Sequence, residues 1–209
     1  MPNRRTQAPK GLLGMDCLRH YCIQVGCVAR TLRFLDPDHL ETQSLGQPFP
    51  ISFELEGITA FDADCFGLGN VRLVLDAGFA GPFDGTLSPK VFQSLVRAHP
   101  PVGPDLYMTI EDGRSASGNA FSSLQLCGQI YTDLKFSTVD IRPRRLRGFL
   151  GMRFLARHLA TFNFPKRTLY LKRISSAPLT EELRTVQPGW FRQRRDDLPV
   201  PCQTPLARP

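Results

Sequence analysis

No run of this sequence approaches the roughly 18 to 20 consecutive apolar residues of a membrane-spanning helix. The opening Met1-Pro2-Asn3-Arg4-Arg5 leads into no apolar signal core either. A membrane span is therefore not expected, and with nothing in the chain to export it the cytoplasm is the default compartment. The six cysteines (Cys17, Cys22, Cys27, Cys65, Cys127, Cys202) contain no C-x-x-C pair and no Cys/His cluster at zinc spacing. Tetrahedral zinc wants convergent pairs of ligands, so a structural metal is not expected. His20, His39, His99 and His158 do not cluster, and no serine or cysteine stands in a nucleophile-elbow pattern, which argues against a Ser or Cys hydrolase. Neither a Walker loop nor a Gly-x-Gly-x-x-Gly fingerprint follows a strand; Gly67-Leu68-Gly69 precedes one, the wrong order for a phosphate cradle.

One further absence is local. Between Arg142 and Arg173 there is no acidic residue, while Arg142, Arg144, Arg145, Arg147, Arg153, Arg157, Lys166, Arg167, Lys172 and Arg173 carry much of the net charge of +7. Such a stretch could attract phosphate or acidic partners. No aromatic-interleaved nucleic-acid motif accompanies it, so a solvated basic face is the favoured reading and nucleic-acid binding the lesser one.

What the chain does have is a repeat. Gly11-Leu12-Leu13-Gly14-Met15-Asp16-Cys17-Leu18, running to Thr31-Leu32-Arg33-Phe34, returns without a gap as Gly148-Phe149-Leu150-Gly151-Met152-Arg153-Phe154-Leu155, running to Thr168-Leu169-Tyr170-Leu171. Met15, Leu18 and Cys22, and again Met152, Leu155 and Leu159, have helical spacing, so each copy predicts a short helix. Ile23 to Cys27 and Thr31 to Phe34, matched by Ala160 to Phe164 and Thr168 to Leu171, then predict a two-stranded hairpin. The three early cysteines correspond to Phe154, Leu159 and Phe164 and are expected to be small core residues.

With 209 residues, 42% of them hydrophobic, the chain suits one domain with extensions or two small ones. Residues 1–10 are polar and basic and predict a flexible tail; 11–45 comprise the first repeat and a linker; 46–175 form the main domain; 176–209, rich in proline and arginine, predict a disordered tail. Within the main domain, Ile51 to Leu55 alternates and Asn70 to Leu75 predicts a buried strand. Asp62 and Asp64 are expected at a turn. Ser88-Pro89-Lys90 predicts an N-capped helix, and the stretch from His99 to Gly118 a loop or hairpin. Strands are expected at Leu124 to Cys127, Gln129 to Leu134 and Phe136 to Ile141, with a bend at Lys135.

The Asn70 to Leu75 strand delivers Asp76-Ala77-Gly78-Phe79. Alone, such a tripeptide is most simply a turn in which the aspartate bonds neighbouring amides. Its order in the chain adds weight: strand, Asp-Ala-Gly, short helix, hairpin, strands, then Phe149-Leu150-Gly151 and a helix. Over about residues 48 to 175 this order resembles the retropepsin-like aspartyl proteases, the single-lobe relatives of pepsin, and Gly148 to Leu155 is close to that family's closing motif.

The resemblance implies a mainly β, closed-barrel acid-protease lobe with short helices, and a polypeptide substrate cleaved by an aspartyl dyad with activated water. It implies no metal or organic cofactor. Asp76 would be the catalytic carboxylate, Ala77 and Gly78 its supporting loop, and Leu150 and Gly151 would brace that loop from behind; a substrate-covering flap would have its tip near Asp112-Gly113-Arg114. The family usually places Thr or Ser where this chain has Ala77, whose side chain cannot brace the loops by hydrogen bonding. A single Asp also requires a second, from a homodimer or from a preceding lobe whose closing helix and hairpin the first repeat resembles. The chief alternative is a catalytically inactive module that keeps the protease fold for binding or scaffolding; binding of anionic surfaces or nucleic acid through residues 142–173 is the second.

Overall fold

Alternating and β-branched segments separated by glycine turns give strands almost throughout. The computed structural model describes residues 13–54, 57–79, 81–109, 115–141 and 144–175, all of which fall in one compact unit. Their order is α1 (Met15–Leu18), β1 (Cys22–Gly26), β2 (Thr31–Leu35), a 3-10 turn (Thr42–Ser44), β3 (Gln47–Phe53), β4 (Thr59–Asp64), β5 (Asn70–Leu75), β6 (Gly85–Leu87), α2 (Pro89–Ala98), β7 (Val102–Thr109), β8 (Ser115–Leu126), β9 (Gln129–Thr138), β10 (Gly148–Leu150), α3 (Met152–Leu155), β11 (His158–Asn163) and β12 (Thr168–Arg173). The fold is mainly β with short helices. The tails at 1–10 and 176–209, and the flap-tip residues Asp112, Gly113 and Arg114, lie outside the described residues.

The strands form one twelve-stranded sheet in the order β2-β1-β11-β12-β3-β4-β5-β10-β6-β9-β8-β7. Contrary to the expected closed barrel, the sheet stays open, because closure requires its first and last strands to meet in a consistent stagger. Here the first repeat extends one end with β1 and β2, and β7, irregular between Val102 and Leu106, finishes the other. An isolated bridge from Cys65 to Leu126 joins the end of β4 to β8. Phe61, Leu73, Leu87, Phe121, Leu134, Phe136, Leu150 and Phe154 fill the main core.

The two repeats fold alike, helix for helix and hairpin for hairpin. They also meet. β1 pairs antiparallel with β11 so that Gln24 faces Thr161, and the Gln24 amide donates to the Thr161 hydroxyl at 3.0 Å across 137 residues, the spacing between the copies. Equivalent residues facing one another in an antiparallel pair define a local two-fold axis, which passes between Gln24 and Thr161.

Other expectations shift in detail. Asp62 and Asp64 lie within β4 and the turn follows them; the aspartates alternate with buried Phe61, Ala63 and Cys65, and Asp62 bonds Arg72 of β5 at 2.7 Å. β9 runs through Lys135 unbroken; the irregular residue is Asp133, with φ of 52°. Ser88 occupies the N-cap of α2 with Pro89 following, but its hydroxyl makes no capping bond. Among the early cysteines Cys22 is buried and Cys17 and Cys27 are half-buried.

Candidate active site

β5 is apolar because both faces of the sheet are covered there: Val71, Leu73 and Val74 are buried. The strand ends by projecting Asp76 half-buried, with Ala77 and Gly78 exposed beyond it. The Asp76 carboxylate turns back on its own loop, where Oδ1 accepts the Gly78 N–H at 2.8 Å. A Cβ at Gly78 would lie 3.1 Å from that oxygen, so glycine keeps the turn tight.

β10 enters between β5 and β6, parallel to the first and antiparallel to the second. A three-residue strand inserted in this way fixes the loop from behind. The Asp76 N–H donates to the Leu150 carbonyl at 2.9 Å, the Gly151 N–H to the Asp84 carbonyl at 2.8 Å, and the Met152 N–H to the Phe79 carbonyl at 3.0 Å. Leu150 is fully buried. Any side chain at Gly151 would strike Phe79, whose carbonyl oxygen stands 2.5 Å from the Cβ position. Asp76, Gly78, Leu150 and Gly151 are thus brought together. Ala77 sits at the exposed crest with no hydroxyl to offer a facing loop.

The hairpin of β7 and β8 reaches the segment that follows. A Cβ at Gly81 would come within 2.6 Å of the Met108 sulfur, and one at Gly118 within 2.5 Å of the Phe83 ring. The hairpin, at Met108 and Gly118, therefore packs on the chain leaving the Asp76 loop.

Two buried polar pairs escaped the sequence reading. Asp84 and Arg157 are both fully buried and form an ion pair at 3.2 Å. The Asp84 carboxylate also accepts the Lys135 N–H at 2.9 Å, while Arg157 donates to the carbonyl of Thr132 at 3.1 Å. Burial pushes the Asp84 carboxyl upward, with the Arg157 charge pulling the other way. The pair clamps the closing helix and hairpin onto the segment after the Asp76 loop, and it removes Asp84 as a second catalytic carboxylate. Nearby, the Tyr131 hydroxyl meets His158 Nε2 at 2.7 Å, and His158 Nδ1 meets the Phe154 carbonyl at 2.8 Å. Nδ1 must then carry the proton and Nε2 accept. Burial lowers the His158 pKa to about 4. Neither pair carried a sequence signal, since Arg157 lay in a run of charges that reads as surface.

The basic run is not wholly a surface feature. Arg153 and Arg157 are buried, Arg145 pairs with Glu54, Lys166 with Asp38 at 3.0 Å, and Arg173 lies over the Tyr131 ring, 4.6 Å from its centroid. Arg142 lies outside the described residues. Two interior arginines and three further cations with partners thin the expected surface, because arginine stems fill core space where a carboxylate or ring receives the head.

Among the described residues no group of three or more His, Cys, Asp or Glu side chains is placed to hold a metal ion, and no helix is long and apolar enough to cross a membrane. No protein-family model matches the chain, and no curated protein matches its sequence. Among solved structures, the basic 7S globulin from soybean is similar over 77% of this chain and 52% of its own, at 15% identity and a TM-score of 0.44. Conglutin gamma, a basic 7S globulin from lupine seeds, is similar over 75% and 51%, at 14% identity and a TM-score of 0.39. The chain spans about half the length of each of these two structures.

Proposed function

We propose that this chain is an aspartic-endopeptidase lobe that contributes one carboxylate, Asp76, to a two-carboxylate site. The observation that carries the reading is the Asp76 loop with β10 inserted behind it: a half-buried carboxylate at a strand end, held by Gly78 and backed by Leu150 and Gly151. Two carboxylates held close together cannot both ionise cheaply and share one proton. One then takes a proton from water as the other donates to the carbonyl of the scissile peptide. This chain supplies one member; a second lobe or a second copy supplies the other. The substrate is a polypeptide, and the chemistry needs neither metal nor organic cofactor.

A second reading is favoured by Ala77: a module of the same fold that binds polypeptide without cutting it. Cleavage of casein by the full chain, scanned over about pH 3 to 7 where a shared-proton dyad works, separates the two. The endopeptidase reading expects activity that falls to background in Asp76→Asn while the unfolding midpoint stays put. Activity identical in wild type and Asp76→Asn would overturn it, as would a folded chain, paired with a second carboxylate-bearing lobe, that cleaves at no pH.

A further inference from the structure

The first repeat lacks the cover that the second one has. Leu13, Leu32 and Phe34 are 55%, 60% and 55% exposed, whereas Leu150, Leu169 and Leu171 at the same places in the second copy are 0%, 1% and 2% exposed. Tyr21 is exposed where His158 is buried, and it lies edge-on against Phe34 with ring centroids 5.4 Å apart. The same face is a core in one copy and a surface in the other. The edges differ likewise: β12 is covered by β3 through Thr168–Pro50 to Leu171–Gln47, while β2, its counterpart, ends the sheet among the described residues. A free edge beside exposed large apolar side chains is a template for another strand.

We infer that the first repeat is a docking surface for a second lobe body, whose core closes over Leu13, Tyr21, Leu32 and Phe34 and whose strand equivalent to β3 pairs with β2. The inference rests on reading the chain as one lobe of a two-lobed site, and names where the other attaches. The internal repeat identifies the occupant, because residues 47–141 cover the equivalent face and edge of the second copy. The local two-fold between Gln24 and Thr161 would then set the partner's Asp loop opposite Asp76.

Charge narrows the partner. In the second copy Arg157, with Arg153 adding its charge, serves the buried Asp84; the equivalent positions in the first copy are Asp16 and His20. A lobe with an aspartate at the Asp84 position would meet His20 in place of Arg157, and the like charge of Asp16 in place of Arg153. A neutral residue there suits the first copy better, so this chain's own body, with its buried Asp84, is the poorer occupant.

The test fuses residues 39–138, carrying Asp84→Asn, ahead of Met1 of the full chain, so that residues 1–10 make a connection close in length to 139–147. The readout is amide exchange across β2, independent of activity. Exchange of the β2 amides pointing away from β1 should slow by roughly a hundredfold or more, since they pass from a free edge into a sheet interior. Leu32→Asp with Phe34→Asp in the same fusion should abolish the effect. A control fusion, with unaltered Asp84 and with Leu150 to Lys172 in place of Leu13 to Leu35, shows that the added body folds against a closing element. Unchanged β2 exchange in the first fusion overturns the inference. So does a self-dimer of the unfused chain that Leu32→Asp breaks, or β2 protection that vanishes on removing residues 176–209, since either names a different occupant. Docking without cleavage leaves the inference standing and sinks the endopeptidase reading; cleavage without docking does the reverse.

Discussion

The helix and hairpin at residues 13–35 and those at 150–173 share a backbone plan and differ in nearly every surrounding. In the second copy Gly151 is pressed against Phe79, Leu169 and Leu171 are interior, and Arg157 reaches a buried carboxylate. In the first, a Cβ at Gly14 would meet only the side chain of Asp16, two residues on, and Leu32 and Phe34 face water. The comparison teaches that such a closing element is specified locally but stabilised by the body it closes. Short helices of four residues cannot stand alone. The first copy is ordered instead through β1, whose Cys22 and Ile23 are buried beside β11.

The largest expected effect tests this directly. Arg157→Ala removes the partner of a fully buried aspartate and should cost about 3 to 5 kcal/mol, the usual consequence of stranding a buried charge. His20→Ala, at the equivalent position on the exposed copy, should stay within about 0.5 kcal/mol. Urea unfolding of the two variants measures both. Equal losses would mean that the first copy is already covered in solution.

A pH comparison comes next. His158 is buried with its pKa lowered to about 4 from 6.5, so between these values the unfolded chain binds a proton that the folded chain refuses. Its contribution is complete above about pH 6.5 and is lost as pH falls towards 4, a change of about 3 kcal/mol. Asp84 acts in the opposite sense, its raised pKa favouring the folded state towards acid. Comparing wild type with His158→Gln at pH 7 and pH 4.5 therefore isolates the histidine: the variant should lose less stability on acidification. Tyr21→Phe, at the matching exposed position, should leave the profile unchanged. A wild-type profile as flat as that of His158→Gln would mean that His158 is accessible to water. The result also bears on the casein assay, whose acid arm is informative only while the chain remains folded.

Much of this was legible in the sequence. The repeat carried its own register, so α1 and α3 start at Met15 and Met152 and the two hairpins follow, although Cys22 and Leu159, counted in the helical spacing, already lie in β1 and β11. The Asn70 to Leu75 strand and the placement of Gly78 followed from apolar run and turn chemistry. What sequence could not show was sidedness: whether Leu32 or Leu169 is covered depends on chain far from either, and both read as strand-forming leucines. The buried arginines were missed for the same reason. Arg153 and Arg157 look like members of a surface run until the fold brings Asp84, some seventy residues earlier, beneath them. The continuation of β9 past Lys135 was hidden too, because Asp133 absorbs the irregularity without breaking the pairing on either side.

The smallest expected effect concerns the join between the copies. Gln24 and Thr161 lie on the local axis, where the symmetry lets a residue meet its own equivalent, and their side chains are buried and bonded at 3.0 Å. Gln24→Leu and Thr161→Val should each cost about 1 to 3 kcal/mol by stranding the other partner, and together less than their sum, with a coupling of about 1 kcal/mol. Where the loss appears matters more than its size. If β1 holds the first copy in place, Gln24→Leu should speed amide exchange in β1 and β2 while β5, β10 and β12 keep their protection, because the second copy retains its own body. Exchange accelerated equally across all five strands would show instead that the copies unfold as one unit, and that the first has become part of the lobe it adjoins.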